Sequence, residues 1–304
     1  MKPLDLVFLG TAASVPTKDR NLSSVALRYS GDWLLFDSPE GAQRQMMAGN
    51  VSYMKIKYIF ISHFHGDHFL GMPGLLATMS MHGREEALTI FGPRGIAEYV
   101  KKAIELSMLK VNFEIRCVES RSGIILQEEN YHMKAVKLKH DVPCFGYIFK
   151  EEDKIGQFSR KKALSLKIPE GPLWNKLQKG IVIEHNGKKI KPDDVLDYSK
   201  GKKGKKISII FDTLANDSYL EAVSDSDILI HEASFTKDFE ARAKETKHST
   251  AKEAAEIAKK AKCKELLLFH ISSRHKSAEE IENEAKEVFV KSRAAKDLMK
   301  IELK

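Results

Sequence analysis

Apolar positions along the chain fall into two spacings. Short apolar or alternating runs mark strands at Leu4–Leu9, at Tyr58–Ile61, and at Ser23–Tyr29 and Trp33–Phe36, which flank a Ser30-Gly31-Asp32 turn as a hairpin. In Tyr131–Leu138, Tyr131, Met133 and Ala135 alternate with His132 and Lys134, the signature of a half-buried strand. Three later runs, Ile207–Phe211 (interrupted only by Ser208), Ile228–Ile230 and Leu266–Phe269, are apolar. Helical spacing marks Gly71–Met81 and Gly95–Leu109, each opening at a glycine or proline turn, then Ser249–Lys262 and Ala278–Ser292. A shorter helix runs from a Ser159 N-cap to Leu166. Strands in two batches with helices outside predict an α/β two-sheet sandwich covered by helices, rather than a doubly wound parallel sheet. No Gly-x-Gly-x-x-Gly and no Gly-x-x-x-x-Gly-Lys-Ser/Thr occurs, so dinucleotide and P-loop chemistry have no sequence support.

Composition narrows the class. With 304 residues, 42% of them apolar and 30% charged, the chain can bury a sizeable core. No run approaches the ~18 consecutive apolar residues of a membrane span. The first residues read as a strand rather than a signal peptide, so a cytoplasmic protein is expected. Cys117, Cys144 and Cys263 form no Cys-x-x-Cys pair, which argues for reduced thiols. The net charge of +8 is concentrated: residues 150–206 hold sixteen Lys/Arg against eight Asp/Glu, and the rest of the chain balances. Such a segment is either a solvated lysine-rich loop or an arm that attracts polyanions.

The chemistry lies at residues 61–68, Ile-Ser-His63-Phe-His65-Gly-Asp67-His68. Four side chains that avoid burial unless paired follow directly on an apolar strand. Imidazole nitrogen and carboxylate oxygen suit Zn²⁺ and similar divalent ions. In extended backbone His63 and His65 point the same way. Gly66 then permits a sharp turn that lets Asp67 and His68 serve a second position. One arrangement recurs: apolar strands end in His140, Asp212 and His270 as the Tyr58–Ile61 run ends in His63. Each of the later three alone would read as a turn residue; jointly they read as ligands.

His-x-His-x-Asp-His resembles the signature of the metallo-β-lactamase superfamily, and within it the chain is similar, nearly end to end, to the ribonuclease Z family. The likeness is carried by Phe8-Leu-Gly-Thr-Ala12, by Pro16-Thr-Lys18-Asp-Arg20-Asn21, by Gly171-Pro172-Leu173, by His231-Glu232-Ala233 and by His248-Ser249-Thr250. Phe211 before Asp212, where the family has glycine, and Ser234, where it has threonine, depart from the pattern.

The resemblance implies a four-layer αβ/βα sandwich over residues 1–304, with an inserted basic arm at about 150–200 that grips tRNA, often for the partner subunit of a homodimer. It implies two Zn²⁺ (or Mn²⁺) ions, one held by His63, His65 and His140, the other by Asp67, His68 and His270, with Asp212 bridging. The implied reaction is hydrolysis of precursor tRNA after the discriminator nucleotide, leaving a 3′-hydroxyl, by a water made nucleophilic between the ions. Asp67 would orient that water or take its proton, and His248 would protonate the departing oxygen. The alternative for His248 is a cap on the helix Ser249–Lys262. Lys18, Arg20 and Asn21, with Gly171 and Pro172 in the arm, are the expected substrate contacts. Two other readings remain: a small-molecule hydrolase of the same superfamily, and a non-catalytic RNA binder with a vestigial site.

Overall fold

In a computed structural model, residues 4–108 and 110–303 are described; the final residue of the expected helix Gly95–Leu109 lies outside them. They form two compact units, one of residues 4–108, 110–127, 133–149 and 206–303, the other of residues 128–132 and 150–205.

The larger unit contains two seven-stranded sheets. The first runs in the order Lys300–Leu303, Leu4–Gly10, Ser24–Tyr29, Asp32–Phe36, Ile56–Phe60, Leu88–Gly92, Ile115–Glu119. The second runs Ser292–Ala294, Leu266–Phe269, Ile228–Glu232, Lys206–Ile210, Cys144–Glu151, Tyr131–Leu138, Gly123–Gln127. Aromatic side chains join them: Tyr147 lies 5.2 Å from Phe60 by ring centroids, Phe149 lies 5.2 Å from Tyr29, and the Tyr147 hydroxyl donates to the Ile61 carbonyl at 2.7 Å. Apolar side chains of helices Ala42–Gly49, Met72–Met81 and Ile96–Leu106 pack with the first sheet in one core. On the second sheet, helix Ala251–Lys260 packs against strands Ile228–Glu232 and Leu266–Phe269. Helix, sheet, sheet, helix is the layering the strand and helix spacing predicts.

Register places the strand ends together. Phe36 pairs with Phe60 in parallel, so Asp37 and the His63–His68 segment leave the first sheet side by side. In the second sheet Ile210 pairs with His231, and Glu232 with Phe269, again in parallel. Asp212, Glu232 and His270 therefore emerge at one edge.

Two helix expectations change. The helix expected over Ala278–Ser292 stops at Val288, because Phe289 is extended and Ser292 begins a strand that pairs with Leu266. The helix expected over Ser249–Lys262 starts at Ala251: the Thr250 hydroxyl accepts from Glu253 N–H while the Glu253 carboxylate accepts from Thr250 N–H. Thr250 fills the capping position, so His248 does not.

The smaller unit has its own core of Ala163, Ile168, Trp174, Leu177, Ile183, Ile190 and Val195. Ser159 caps helix Arg160–Ser165, and Gly171, at φ 140°, opens helix Pro172–Gln178. A hairpin pairs Ile183–His185 with Lys188–Ile190 through Asn186 and Gly187, both at positive φ, as a two-residue hairpin turn requires.

Candidate metal centre

The strand-end residues converge. Ligand atoms of His63, His65 and His140 lie within 4.8 Å of one another, as do those of Asp67, His68 and His270. Asp212 sits between the two sets. Its Oδ2 is 3.7 Å from His63 Nε2, 3.5 Å from His68 Nε2 and 3.9 Å from His140 Nε2, and its Oδ1 is 3.3 Å from His270 Nε2.

Buried partners fix how these rings present themselves. His140 Nδ1 donates to the Lys247 carbonyl at 3.2 Å, an acceptor only, which turns Nε2 as the acceptor nitrogen into the cluster, 3.4 Å from His65 Nδ1. His68 Nδ1 donates to Asp37 Oδ2 at 2.6 Å, and Asp37 in turn accepts from Ser62 N–H and Ser62 Oγ, both at 2.7 Å. His63 Nδ1 meets Ser62 Oγ at 2.9 Å, and His270 Nδ1 meets Ser234 Oγ at 2.9 Å. The serine at position 234 thus supplies the hydroxyl the loop needs, and Phe211 is buried edge-on to His68. Imidazoles held by carboxylate, carbonyl or hydroxyl on one nitrogen present the other, as in metal sites generally.

Glu232 is the hub of the neighbouring loops. Its Oε1 accepts from Thr213 N–H at 3.1 Å, Ser249 N–H at 3.0 Å and His248 Nδ1 at 3.0 Å. Its Oε2 accepts from Ser234 N–H at 3.1 Å and Ser234 Oγ at 3.0 Å. His231 plays no part in the cluster: its Nδ1 donates to the Glu232 carbonyl and its Nε2 accepts from the Tyr219 hydroxyl, all buried.

Electrostatics follow from this crowding. Burial disfavours charge on His68, yet Asp212 and Asp37 on either side carry it well above its usual value. Burial, with His68 beside it, pushes His63 well below. Burial opposes ionisation of Asp67 and Asp212, but the surrounding imidazoles hold both well below the usual carboxylate range. Asp37 is raised, since burial outweighs its bond to His68. Burial also works against His248, but Glu232 and Asp212 lift it to about 9.

The donor set fits divalent cations. Among the described residues, His68 Nε2, His270 Nε2 and Asp212 Oδ1 are buried without a hydrogen-bond partner. Each such atom costs ~1–3 kcal/mol unless something else satisfies it. The two histidine nitrogens both lie against the Asp212 carboxylate, 3.3 Å from Oδ1 for His270 and 3.5 Å from Oδ2 for His68.

Lys18, Arg20 and Asn21 lie in the loop that follows the first strand, outside the cluster. This loop touches the site through Ser14 N–H, which donates to Asp67 Oδ2 at 3.1 Å. Asn21 has structural work there: its N–H donates to Asp297 at 2.6 Å and its amide to the Glu40 carbonyl at 3.2 Å. Gly171 and Pro172 belong to the smaller unit. Asp37 and Ser62 complete the site without having been singled out from the sequence, as does Glu232, which the sequence offered only as part of the His231-Glu232-Ala233 motif and without a role. The signal was present, since Asp37 follows Trp33–Phe36 and Glu232 follows Ile228–Ile230 as the ligands follow their own strands.

Two facing sheets with outer helices and a His/Asp cluster at their strand ends define a hydrolase of the metallo-β-lactamase fold. The metallo-β-lactamase fold protein YhfI from Bacillus subtilis superposes over 100% of both chains with a TM-score of 0.72 at 19% identity. Human tRNase Z, short form, superposes over 98% of each chain with a TM-score of 0.71 at 28% identity. Ribonuclease Z of Methanosarcina mazei is 42% identical over 301 residues, 99% of this chain and 98% of that one. Residues 4–159 match the family described as "Anti-Pycsar protein Apyc1". The chain belongs to the ribonuclease Z family, and over residues 4–159 also to that second one. It is a hydrolytic endoribonuclease.

Proposed function

We propose that the chain removes the 3′ trailer of precursor tRNA after the discriminator nucleotide, leaving a tRNA 3′-hydroxyl. The observation that carries the reading is the pair of ligand triads flanking one carboxylate, Asp212, with its orphaned buried donors. His63, His65 and His140 would hold one divalent ion, Asp67, His68 and His270 a second, and the Asp212 carboxylate faces both. Zn²⁺ and Mn²⁺ both accept these donors. When bound, such ions supply Lewis acidity toward a phosphodiester and make water acidic enough to attack at neutral pH.

The chain's own groups do the rest. Asp67, held ionised as a hydrogen-bond acceptor, would orient the attacking water or take its proton. As the phosphorus–O3′ bond breaks, the departing oxygen takes a proton from His248. Its Nδ1 is committed to Glu232, so Nε2 is the end that delivers it. Lysines of the smaller unit bind tRNA through phosphates and shape rather than sequence, in our reading as an arm of a homodimer that serves the partner's site. Loop residues Lys18 and Arg20 contact phosphate near the cut. No helix among the described residues is long and apolar enough to cross a membrane, and the proposed work is cytoplasmic.

The test is incubation of purified protein with a 3′-extended precursor tRNA, with and without chelator, mapping the cut. Metal-dependent cleavage after the discriminator nucleotide is expected. Deleting residues 150–200 should abolish tRNA cleavage while hydrolysis of bis-p-nitrophenyl phosphate persists. Loss of neither, or cleavage that survives full chelation, would refute the reading.

A further inference from the structure

The strand Tyr131–Leu138 carries more positive charge than its place in the second sheet requires. Met133, Ala135 and Leu138 are buried, while Lys134 is half-buried and Lys137 and Lys139 are exposed. With Asn216 and Ser218, the three lysines line a cleft of about 540 Å³ in the larger unit. Among the described residues none of the three enters an ion pair, and the single carboxylate lining the cleft is Glu221.

The cleft adjoins the chain segments that carry the reaction centre. Lys139 immediately precedes His140, its N–H donates to Thr213 Oγ1 at 3.1 Å, and its carbonyl accepts from Leu214 N–H at 2.9 Å. One wall of the cleft and the loop carrying Asp212 are therefore tied together. Three ammonium groups against one carboxylate call for a polyanion. Lys137 lies in the strand and Lys139 one residue past its end, so at ~6.6 Å for two residues of extended chain the two exposed lysines form a short row of charge that linked phosphates can follow. No aromatic side chain lines the cleft, so nothing stacks on a base, and contact is with backbone alone.

We propose that this cleft is a subsite for the sugar-phosphate backbone of single-stranded RNA flanking the scissile phosphate, an inference that rests on the ribonuclease reading above. Two stretches offer that chemistry: the 3′ trailer and the unpaired end of the tRNA itself.

The experiment uses the metal-loaded protein and follows its hydrolysis of bis-p-nitrophenyl phosphate, with two RNAs as competitors: precursor tRNA with its trailer, and the same tRNA ending at the discriminator nucleotide. In the K134Q/K137Q/K139Q variant, hydrolysis without RNA is unchanged and the inhibition constant rises at least tenfold. Each lysine that meets a single-strand phosphate contributes ~0.7 to the slope of log affinity against log salt, so the slope becomes shallower by about 2. Weakening confined to the trailer-bearing RNA assigns the cleft to the trailer; weakening of both assigns it to the tRNA end. Unchanged constants and slopes for both RNAs overturn the proposal. If the triple variant loses basal hydrolysis, the K137Q/K139Q pair, both exposed, decides by a slope change of ~1.4. Wild-type protein that binds RNA without cutting the precursor refutes tRNA processing, while the slope comparison still judges the cleft.

Discussion

Glu232→Gln is the sharpest probe of how the site is held. Five donors converge on the two carboxylate oxygens, three of them backbone N–H groups. An amide has one acceptor oxygen. Turned toward Thr213, Ser249 and His248, it sets its NH₂ against the Ser234 N–H; turned the other way, it confronts three donors. The better orientation orphans one buried donor, ~1–3 kcal/mol, and weakens the remaining bonds from charge-assisted to neutral, ~1–2 kcal/mol more. A loss of roughly 3 kcal/mol is expected, a Tm lower by roughly 6–12 °C for a unit of this size. Urea and thermal denaturation measure it. The variant also frees the His248 ring, and a misplaced general acid costs ~10²-fold or more in turnover. That loss should appear with precursor tRNA, whose departing alkoxide needs a proton, and far less with bis-p-nitrophenyl phosphate, whose departing nitrophenolate does not. Metal content is measured alongside, so that a depleted site is not mistaken for a lost proton. Stability within 0.5 kcal/mol of wild type, or equal losses on both substrates at full metal loading, would refute the reasoning.

Further outcomes follow from the same geometry. Asp37→Asn keeps a residue that tolerates the φ of 58° yet removes the anionic partner of His68. Metal affinity should fall ~10–100-fold in chelator competition, and an unchanged affinity would show that Asp37 does not support the ligand. Restoring Zn²⁺ or Mn²⁺ to chelator-treated protein should recover cleavage and stabilise the fold by ~2.7 kcal/mol at a hundred times Kd; a flat denaturation curve counts against binding. Burial raises the Asp297 carboxyl above its ordinary value. Its stabilising contribution is therefore complete below the unfolded pKa and is lost as pH rises through the folded one. Asp297→Asn mimics the protonated form at every pH: its amide oxygen can accept from Asn21 N–H and Gln45 Nε2, and its NH₂ can donate to the Thr11 hydroxyl. The stability of the variant relative to wild type should rise between pH 3 and 7 in urea titrations, and a pH-independent difference would contradict the assignment.

Much of this arrangement was legible in the sequence because sheet geometry is repetitive. An apolar strand that finishes in His or Asp is a local pattern, and parallel register carries such ends to one edge without further information. The same rule applied to Asp37 and Glu232 would have found the residues that hold the ligands. Acidic residues after strands usually terminate turns, and nothing local distinguishes a turn residue from one that accepts five hydrogen bonds across the fold. The end of the helix at Val288 was hidden for a related reason: the amphipathic spacing continues, but pairing of Ser292 with Leu266 captures the chain. A helix cap stayed open as the alternative for His248 because only the reciprocal Thr250–Glu253 bonds reveal which residue fills that place. In the basic segment, strands of two or three residues such as Gln157–Phe158 carry no periodicity at all.

Left-handed backbone recurs at two functional positions, Asp37 at φ 58° and His270 at φ 56°. Most side chains with a Cβ enter that region at a cost of ~1–2 kcal/mol, Asn and Asp least of all. Anyone re-engineering this enzyme toward a softer ion by grafting cysteine would therefore confront a torsional toll at position 270 that His63, His65 and His140 do not impose. Repurposing the pocket is easiest through the other triad.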